Sequence, residues 1–360
     1  ASCLVGSEMC IRDSSSSGYS YQYKNMGQTS NKGVELQLDA VLVDAKDFGL
    51  NFNFNISYNR GKIDKLNGSS FWQSSSWAGT AAAGIEDFLV EEGGRLGEVY
   101  GYKTDGFYTA DDFTFDAEKG TYALKAGVND CSSLIGGKVY PGSIKLKANE
   151  DGEYKKERLG NTVPTVSGGF GLNARWKGFD FTAFFNYSLG NKIVNATKLG
   201  SSFYSGSSKN WNINDHFTSA NRYSWIDPST GTNLLSSASI KANGEAWTIN
   251  RLNEVNTGSS IWNPAAATVM PLVDWAVEDG SFLRVNNITI GYTLPKLFVS
   301  KLNIQNIRIY VTGYNLHCFT KYSGTDPEVD CCTSTPMTPG IDYAAYPKSR
   351  SFVGGINVTF

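Results

Sequence analysis

The sequence is poor in charged residues and has no long apolar run, and both shortages limit the kind of protein it can be. Charged residues make up 18% of the 360 residues, whereas soluble domains usually carry about a quarter. No stretch approaches the roughly 18 consecutive apolar residues that a transmembrane helix requires. The chain therefore lacks an ordinary charged surface, and if it spans a membrane it must do so with strands.

Residues that commonly bind metal ions are also scarce, and basic residues are not clustered. The only histidines are His216 and His317, and none of the six cysteines belongs to a Cys-x-x-Cys pair, so a structural zinc site is unsupported. The formal net charge is -2, with Lys and Arg scattered among Asp and Glu, which leaves no basic stripe for a phosphate backbone. We expect no cofactor and no nucleic-acid partner.

The first residues carry no basic segment followed by an apolar core, so the sequence opens without a recognisable secretory signal. Residues 3–13 resemble translated adapter sequence, and we expect residues 1–13 to be non-native. Cys3 and Cys10 therefore carry no weight in the interpretation. The native fold is expected in residues 14–360.

Strict alternation of apolar and polar residues is the strongest pattern that the chain does have. From Phe48 to Asn59, every second residue is apolar, and the residues between them are Asn, Ser or Gly. A similar pattern places Phe179, Phe181, Ala183, Phe185, Tyr187 and Leu189 on one face of residues 179–190, and Phe352, Ile356, Val358 and Phe360 on one face of residues 352–360. Each stretch predicts a strand with one apolar and one polar face.

Both a soluble β-sandwich and a membrane barrel contain alternating strands. The polar faces here carry Asn, Ser, Thr and Gly instead of Lys and Glu, which suits a hydrated lumen. Eleven residues at about 3.3 Å each, tilted by about 45°, rise roughly 25 Å, the height of the apolar band of an outer-membrane barrel. The pattern favours an all-β, antiparallel transmembrane barrel.

The lengths of the connections support the same interpretation. About nine strands are predicted, at residues 33–43, 48–59, 83–91, 96–108, 167–176, 179–190, 281–293, 305–316 and 350–360. The connections between them alternate between short and long, as periplasmic turns and external loops do in such barrels. An odd number of strands also leaves two open edges in lipid, so we expect further strands upstream.

Five stretches resemble the C-terminal third of the SusC/RagA family of TonB-dependent transporters. They are residues 31–36 (NKGVEL) with the strand after residue 47, residues 97–106 (GEVYGYKTDG), residues 278–295 (EDGSFLRVNNITIGYTLP), residues 313–316 (GYNL) with 320–329 (TKYSGTDPEV), and residues 346–347 (YP) with 352–360. The family-motif residues are Ser281, Phe282, Leu283, Arg284, Gly291, Tyr292, Pro295, Asn315, Leu316, Tyr322, Gly324, Asp326, Pro327 and Glu328.

The resemblance implies a function as well as a fold. It implies the C-terminal part of a 22-stranded barrel in the outer membrane of Bacteroidota, which imports glycan oligosaccharides or peptides together with a SusD-like surface lipoprotein. The plug domain and the motif that contacts TonB–ExbB–ExbD are expected upstream of Ala1. The last strand, with Phe352, Ile356, Val358 and Phe360, resembles the signal that the barrel-assembly machinery recognises. No enzymatic activity is implied.

Several candidate sites stay open. Members of the family often carry an acidic loop of calcium-site type where this chain has Pro141 to Glu153, but Lys147 replaces the first acidic ligand. Asp111 with Asp112, and Asp326 with Glu328, are weak candidates for catalytic carboxylates, and residues 168–171 (GGFG) only superficially resemble a phosphate loop. Cys318 has possible disulfide partners in Cys331 and Cys332.

Aromatic residues in the predicted loops have three possible roles. They can stack on sugars, form an interfacial belt or pack beneath the loops. These aromatics are Trp211, Tyr223, Trp225 and Trp262.

Two functions outside energised transport are alternatives. The first is a soluble, secreted carbohydrate-binding β-sandwich, which should be expressed in water-soluble form. The second is a passive porin or adhesin barrel, which should have no upstream plug.

Overall fold

Strands make up most of the regular structure in the computed structural model. The structure describes residues 9–10, 22–23, 27–74, 86–204, 212–299, 304–331 and 337–360. None of the described helices is long and apolar enough to cross a membrane.

In chain order, the strands are β1 (Met9–Cys10), β2 (Gln22–Tyr23), β3 (Gly27–Asp44), β4 (Phe48–Leu66), β5 (Phe71–Ser74), β6 (Glu86–Val90), β7 (Glu98–Gly101), β8 (Thr104–Phe107), β9 (Phe113–Asp116), β10 (Thr121–Leu124), β11 (Ile144–Leu146), β12 (Glu157–Asn161), β13 (Val166–Trp176), β14 (Phe179–Leu189), β15 (Lys192–Asn195), β16 (Val277–Asp279), β17 (Phe282–Thr293), β18 (Asn306–Thr320), β19 (Ile341–Asp342) and β20 (Ser351–Thr359). The α-helices are α1 (Ser132–Ile135), α2 (Ala196–Gly200), α3 (Ser237–Val255) and α4 (Lys296–Val299). Short 3₁₀ helices span Ala110–Asp112, Pro264–Ala266 and Asp274–Ala276.

One seven-stranded sheet contains all the long strands, in the order β20-β18-β17-β14-β13-β4-β3. Every neighbouring pair in this main sheet is antiparallel. The order follows the chain from β3 to β20, and the strands that lie between them in sequence belong to smaller sheets. The main sheet is therefore a meander with long insertions.

The main sheet has an apolar face and a polar face, as the alternation predicts. On the apolar face, Phe54 lies opposite Leu38 on one neighbouring strand and Phe170 on the other. Many side chains of this face are exposed, including Val34 at 71% and Ile290 at 56%. Large exposed apolar side chains on a soluble protein would be a liability, so this face is suited to contact with lipid.

Aromatic residues form a row across the apolar face near the short connections. Trp176 and Phe179 lie 6.3 Å apart between ring centroids, and Phe179 and Tyr292 lie 4.5 Å apart. Adjacent register positions of this row are Phe48, Trp176, Phe179, Tyr292, Ile309 and Ile356. Such a row matches the aromatic girdle at one membrane interface of an outer-membrane barrel.

The connections alternate in length as predicted. Residues 45–47, 177–178 and 294–305 connect strands at one end of the main sheet, and α4 lies in the last of these connections. Residues 67–165, 190–281 and 321–350 connect strands at the other end. The two ends of the sheet therefore differ greatly in the mass of protein attached to them.

Two of the nine predicted strands do not belong to the main sheet. The segments predicted at 83–91 and 96–108 contribute β6, β7 and β8, while residues 83–85 lie outside the described residues. β6 and β7 pair in the four-stranded sheet β12-β7-β6-β5, and β8 pairs with β11. These strands are short because they cover a local core and need not cross a membrane. The described residues therefore supply seven strands to the main sheet, where nine were predicted.

The described parts of the three long connections fold together around a shared core, and they are here called the loop layer. Its core joins residues that are far apart in sequence, such as Tyr108, Leu234 and Ile341, each 0% exposed. Arg251 of α3 donates through Nε to Asp227 Oδ2 at 2.7 Å. The hydrogen bonds from Arg251 hold the pKa of Asp227 well below its usual value. The largest buried core thus lies in the loop layer, whereas the main sheet exposes its apolar face.

Candidate functional site

The polar face of the main sheet carries mostly neutral amides and hydroxyls, together with the acids Glu35 and Asp39 of β3. The Gly169 amide donates to Asn55 Oδ1 at 3.0 Å, and the hydroxyls of Thr289 and Thr312 lie 2.8 Å apart. Other polar positions on this face are Asn51, Asn53, Ser57, Asn173, Thr182, Asn186 and Ser188. A surface of this kind can exchange hydrogen bonds with a polar solute.

Glycines in β13 allow its neighbours to approach closely. A side chain at Gly168 would place its Cβ 2.2 Å from the Asn55 carbonyl oxygen, and one at Gly171 would lie 2.7 Å from Asn53 Oδ1. The GGFG segment is therefore part of a strand that needs backbone proximity, and it is not the turn before a helix that a phosphate loop requires.

Charged pairs on the polar face lie close to the short connections. Arg308 donates to Asp180 through Nε, at 2.9 Å from Oδ1, and through Nη2, at 2.5 Å from Oδ2. Arg175 pairs with Asp44 in the same region. Glycines make room for the arginines, because a Cβ at Gly49 would lie 2.3 Å from Arg175 Nε and one at Gly291 would lie 2.7 Å from Arg308 Nη2. The family-motif residue Gly291 therefore has a steric role.

A cleft of about 580 Å³ lies where the polar face meets the loop layer. Ser57 and Ser167, which face each other in the ladder, form part of its base, and Arg95 lines it from the loop layer. The other lining residues are Thr29, Ser30, Asn31, Asn59, Gly61, Lys62, Ile63, Leu96, Val163, Pro164 and Pro339. Its walls therefore combine hydroxyl, amide and cationic groups with apolar side chains such as Ile63, Leu96 and Val163.

Two family-motif segments meet in an ion-pair group around a buried arginine, here called the Arg284 cluster. Arg284 Nη2 donates to Asp326 Oδ1 at 2.5 Å, and their side chains are 5% and 3% exposed. Glu328 Oε2 lies 2.5 Å from Arg284 Nε, without the alignment of a hydrogen bond, and 2.8 Å from Lys348 Nζ. The cluster fixes the loop after β18 against β17, close to the start of β20.

A second polar group, the Glu278 cluster, joins two of the long connections. Glu278 accepts hydrogen bonds from Ser323 Oγ at 2.7 Å and from the Ser323 amide at 2.8 Å, and Lys198 Nζ lies 3.2 Å from its Oε1. Burial raises the pKa of Glu278, but the Ser323 bonds and Lys198 outweigh it and leave the pKa below its usual value. Lys198 also lies over the Trp275 ring, 4.0 Å from its centroid.

The remaining motif residues have recognisable structural roles. Tyr322 donates to Asp342 Oδ2 at 2.6 Å, and burial followed by this bond raises the pKa of its phenol. A Cβ at Gly324 would lie 2.4 Å from the Tyr322 ring. Asn315 has a φ of +50° and donates to the Ser349 carbonyl at 3.0 Å.

The other motif residues occupy β17, its two flanks, β18 and the loop after it. Ser281 and Pro295 flank β17, which contains Phe282, Leu283 and Tyr292, whereas Leu316 lies in β18 and Pro327 is buried beside Asp326.

The structure accounts for both candidate carboxylate pairs. Asp112 accepts from the Thr109 amide at 2.8 Å, Asp111 accepts from Asn253 Nδ2 at 3.0 Å, and Asp326 with Glu328 neutralises Arg284. Carboxylates that are held in this way satisfy local donors instead of facing each other across a cleft, as glycosidase chemistry requires.

The candidate aromatic residues lie mainly beneath the loops. Tyr223 is 2% exposed and Trp262 is 4% exposed, and Trp225 Nε1 donates to the Pro141 carbonyl at 2.6 Å. Trp211 lies outside the described residues. The packing alternative is therefore correct for Tyr223 and Trp262, and sugar stacking by these two rings is excluded in this conformation.

The candidate calcium loop contributes to the core through β11, where Ile144 is 0% and Leu146 is 1% exposed. Its last part is a turn in which Asn149 Oδ1 accepts the amides of Asp151 and Glu153. Cys318 has a free thiol, and Cys332 lies outside the described residues.

The predicted assembly-signal residues lie on exposed positions at the end of the chain. Phe352, Ile356 and Val358 share the apolar face of β20 and are 69%, 66% and 41% exposed, and Phe360 is 80% exposed. Their accessibility suits either contact with lipid or recognition during assembly.

A meandering antiparallel sheet with an exposed apolar face, a polar face and a folded loop layer at one end is typical of a segment of an outer-membrane β-barrel. The chain is 29% identical over 350 residues to TonB-dependent receptor P3 of Formosa agariphila, covering 96% of this chain and 30% of that protein. It is 23% identical over 348 residues to TonB-dependent receptor SusC of Bacteroides thetaiotaomicron, covering 94% of this chain and 27% of SusC. The resemblance to SusC/RagA-type TonB-dependent receptors is thus confirmed.

Solved structures confirm the fold class. A structure of the RagAB peptide transporter superposes with a TM-score of 0.56 at 21% identity, covering 97% of this chain and 31% of that one. The closed-closed state of the RagAB peptide importer gives a TM-score of 0.58 at 22% identity, covering 96% and 31%. No protein-family profile matches the chain. The chain spans about 30% of the length of the curated relatives that it matches.

Proposed function

We propose that this chain forms part of an importer that carries a nutrient, a glycan oligosaccharide or a peptide, across the outer membrane of a Gram-negative bacterium with energy supplied through TonB. The observation that carries the proposal is the pairing of a lipid-suited face with a polar face on the same seven strands. Relatives named as TonB-dependent receptors match nearly the whole chain and support the proposal.

The chemistry of the polar face fits passage better than catalysis. Its amides and hydroxyls offer many weak hydrogen bonds, and both of its arginines, Arg308 and Arg175, are paired with acids. A solute that exchanges one hydrogen bond for another meets no single tight site, which allows release as well as entry. Sugars and peptides both have this hydrogen-bonding character.

The proposed partners follow from the resemblance. A SusD-like surface lipoprotein would contact the loop layer, and TonB–ExbB–ExbD would act through a plug domain and contact motif N-terminal to Ala1. The barrel-assembly machinery would insert the chain into the outer membrane. The solved neighbours named as a peptide transporter and a peptide importer make peptides a cargo class to test beside oligosaccharides.

Uptake in cells tests this proposal. Strains with and without the complete gene are given labelled peptides or labelled oligosaccharides, each in a tonB⁺ and a tonB-deleted background. We expect accumulation of one cargo class only when both genes are present. Uptake that persists without TonB would indicate a passive pore, and uptake of neither class, with the barrel present in the membrane, would contradict nutrient import.

A further inference from the structure

Two cations lie directly opposite each other on the apolar face of the hairpin formed by β3 and β4. Lys32 pairs in register with Arg60, and the next pairs on the same face are Val34 with Tyr58 and Leu36 with Ile56. The ladder has no register shift between these positions, so all the pairs share one face. The Lys32–Arg60 pair therefore continues the apolar face toward the loop layer.

Like charges at directly opposite positions of an antiparallel pair repel each other. Both side chains are exposed, and neither forms an ion pair with any part of the chain that the structure describes. Glu35, the acid nearest in sequence to Lys32, projects to the polar face, where it accepts the Ser57 hydroxyl at 3.3 Å. Within the described residues, Lys32 and Arg60 therefore have no acid at ion-pair distance, and the nearest acid on the same face of β4 is Asp64, four residues after Arg60.

More positive charge lies close to the pair. Lys62 follows Arg60 by two residues in β4, and it is exposed without an ion-pair partner in the described chain. Arg95, which lines the cleft on the polar side of the sheet, is close enough that burial and the repulsion from Arg60 lower the pKa of its guanidinium. At the opposite end of the same hairpin, by contrast, Lys46 stands between two acids, Asp44 and Asp47.

The height of the pair along the strand identifies its surroundings. Phe48 belongs to the aromatic row, and Arg60 lies about 40 Å further along the same strand at about 3.3 Å per residue. A strand tilted by about 35–45° rises roughly 28–32 Å over that length. The apolar band of an outer-membrane barrel is about 25 Å tall. The cations therefore stand just above the hydrocarbon, at the level of the lipid head groups.

We propose that Lys32 and Arg60 bind a phosphate group of a phosphorylated glycolipid in the outer leaflet. A guanidinium can contact two phosphate oxygens at once, and an ammonium on the neighbouring strand can contact a third. The acyl chains of the same lipid would then lie along Val34, Leu36 and Leu38, which are 71%, 57% and 49% exposed. The proposal depends on the loop layer facing outward and is independent of the cargo.

Binding by the complete protein in neutral detergent tests the proposal. The probes are purified lipopolysaccharide, the same lipid after enzymatic dephosphorylation, and inorganic phosphate alone. The test variant is Lys32→Gln with Arg60→Gln, and the matched control is Lys46→Gln with Lys177→Gln, two exposed lysines at the short-connection end. Heat-modifiable migration on gels establishes that each variant is folded, and the single variant Lys32→Gln serves if the double variant does not fold.

We expect the unchanged protein to bind intact lipopolysaccharide at least fivefold more tightly than the dephosphorylated lipid. The test variant should lose most of that difference, whereas the control should keep it. Equal binding of the two lipids, or a full difference in the test variant, would overturn the proposal. If inorganic phosphate alone bound as well as the lipid, the site would be one for free anions and the glycolipid assignment would be wrong. Failure here would leave TonB-dependent uptake unaffected, so the two proposals are separable.

Discussion

At the scale of single residues, neighbouring positions of β4 lie in opposite environments. Phe54 lies between Leu38 and Phe170 on the apolar face, and its ring stacks on Phe52 with centroids 6.4 Å apart. Asn53 lies opposite Asp39 and Gly171 on the polar face. Alternation in the sequence predicts this division fully, because successive side chains of a strand point to opposite faces.

The contrast gives a direct test with one change at each position. Phe54→Arg should lower the free energy of unfolding by about 2–4 kcal/mol, because a cation at mid-membrane loses its hydration. Asn53→Arg should cost far less because its side chain reaches the hydrated face. Folding of the complete barrel into lipid bilayers, titrated with denaturant, measures both. Equal penalties would show that Phe54 does not face lipid.

The Arg284 cluster shows what a sequence motif leaves hidden. The motif identifies Arg284, Asp326 and Glu328, but it does not predict that they meet, since the arginine lies in β17 and the acids lie beyond β18. Lys348 belongs to the same group and carried no signal in the sequence. Contacts between distant segments depend on how the loops fold, and a local pattern cannot contain that information.

Asp326→Ala should loosen the loop that follows β18. Removing one partner of a buried ion pair costs about 3–5 kcal/mol, and we expect the low end because Glu328 still faces Arg284. The matched control is Glu153→Ala. The side chains of Glu153 and its partner Lys155 are 64% and 65% exposed, so the loss of this pair should cost about 0–1 kcal/mol. Hydrogen exchange in residues 321–331 and 337–350 measures the local opening. Unchanged protection in Asp326→Ala would contradict the clamping role.

At the scale of elements, the sequence predicts strands better than it predicts their neighbours. The seven strands of the main sheet were all predicted, with ends that differ by several residues in β3 and β4. β6 and β7 were predicted as strands of the same sheet, but they bury Phe88 and Val99 in a small sheet of the loop layer. Alternation indicates that one face is covered, but it does not indicate whether lipid or protein covers it.

The last strand, β20, combines an ordinary edge position with a predicted role in assembly. Its apolar residues are exposed, and Phe360 follows the final paired residue, Thr359. A terminal side chain stabilises the finished barrel by no more than the roughly 1.5–3 kcal/mol of a fully buried Phe. Its contribution to recognition by the assembly machinery is a separate, kinetic quantity.

Deletion of Phe360 separates the two roles. We expect barrel refolded in detergent to melt nearly as the parent does, while the amount assembled in cells falls sharply. Heat-modifiable migration on gels, applied to refolded protein and to isolated outer membranes, gives both values. Unchanged assembly in cells would mean that Phe360 is ordinary packing.

At the scale of the whole molecule, the apolar residues are divided between two environments. The loop layer has a protein-like core, with Val194, Leu252 and Met270 each 0% exposed, and the main sheet turns its apolar face outward. The sequence indicates the second feature through neutral polar faces and the alternation of connection lengths. The sequence does not predict the core of the loop layer, because the long connections show no regular periodicity that would indicate a common core.

The proposed import and the proposed partner contacts both require that the loop layer faces outward from the cell. The β9–β10 turn, residues 117–120, belongs to the loop layer, and residues 45–47 connect β3 to β4 at the opposite end of the main sheet. The most direct measurement places one epitope tag in each turn of the complete protein and compares antibody labelling of intact and lysed cells. We expect the tag at residues 117–120 to be labelled in intact cells and the tag at residues 45–47 to be labelled only after lysis. Labelling of the 45–47 tag in intact cells, with the 117–120 tag protected, would contradict the proposed arrangement.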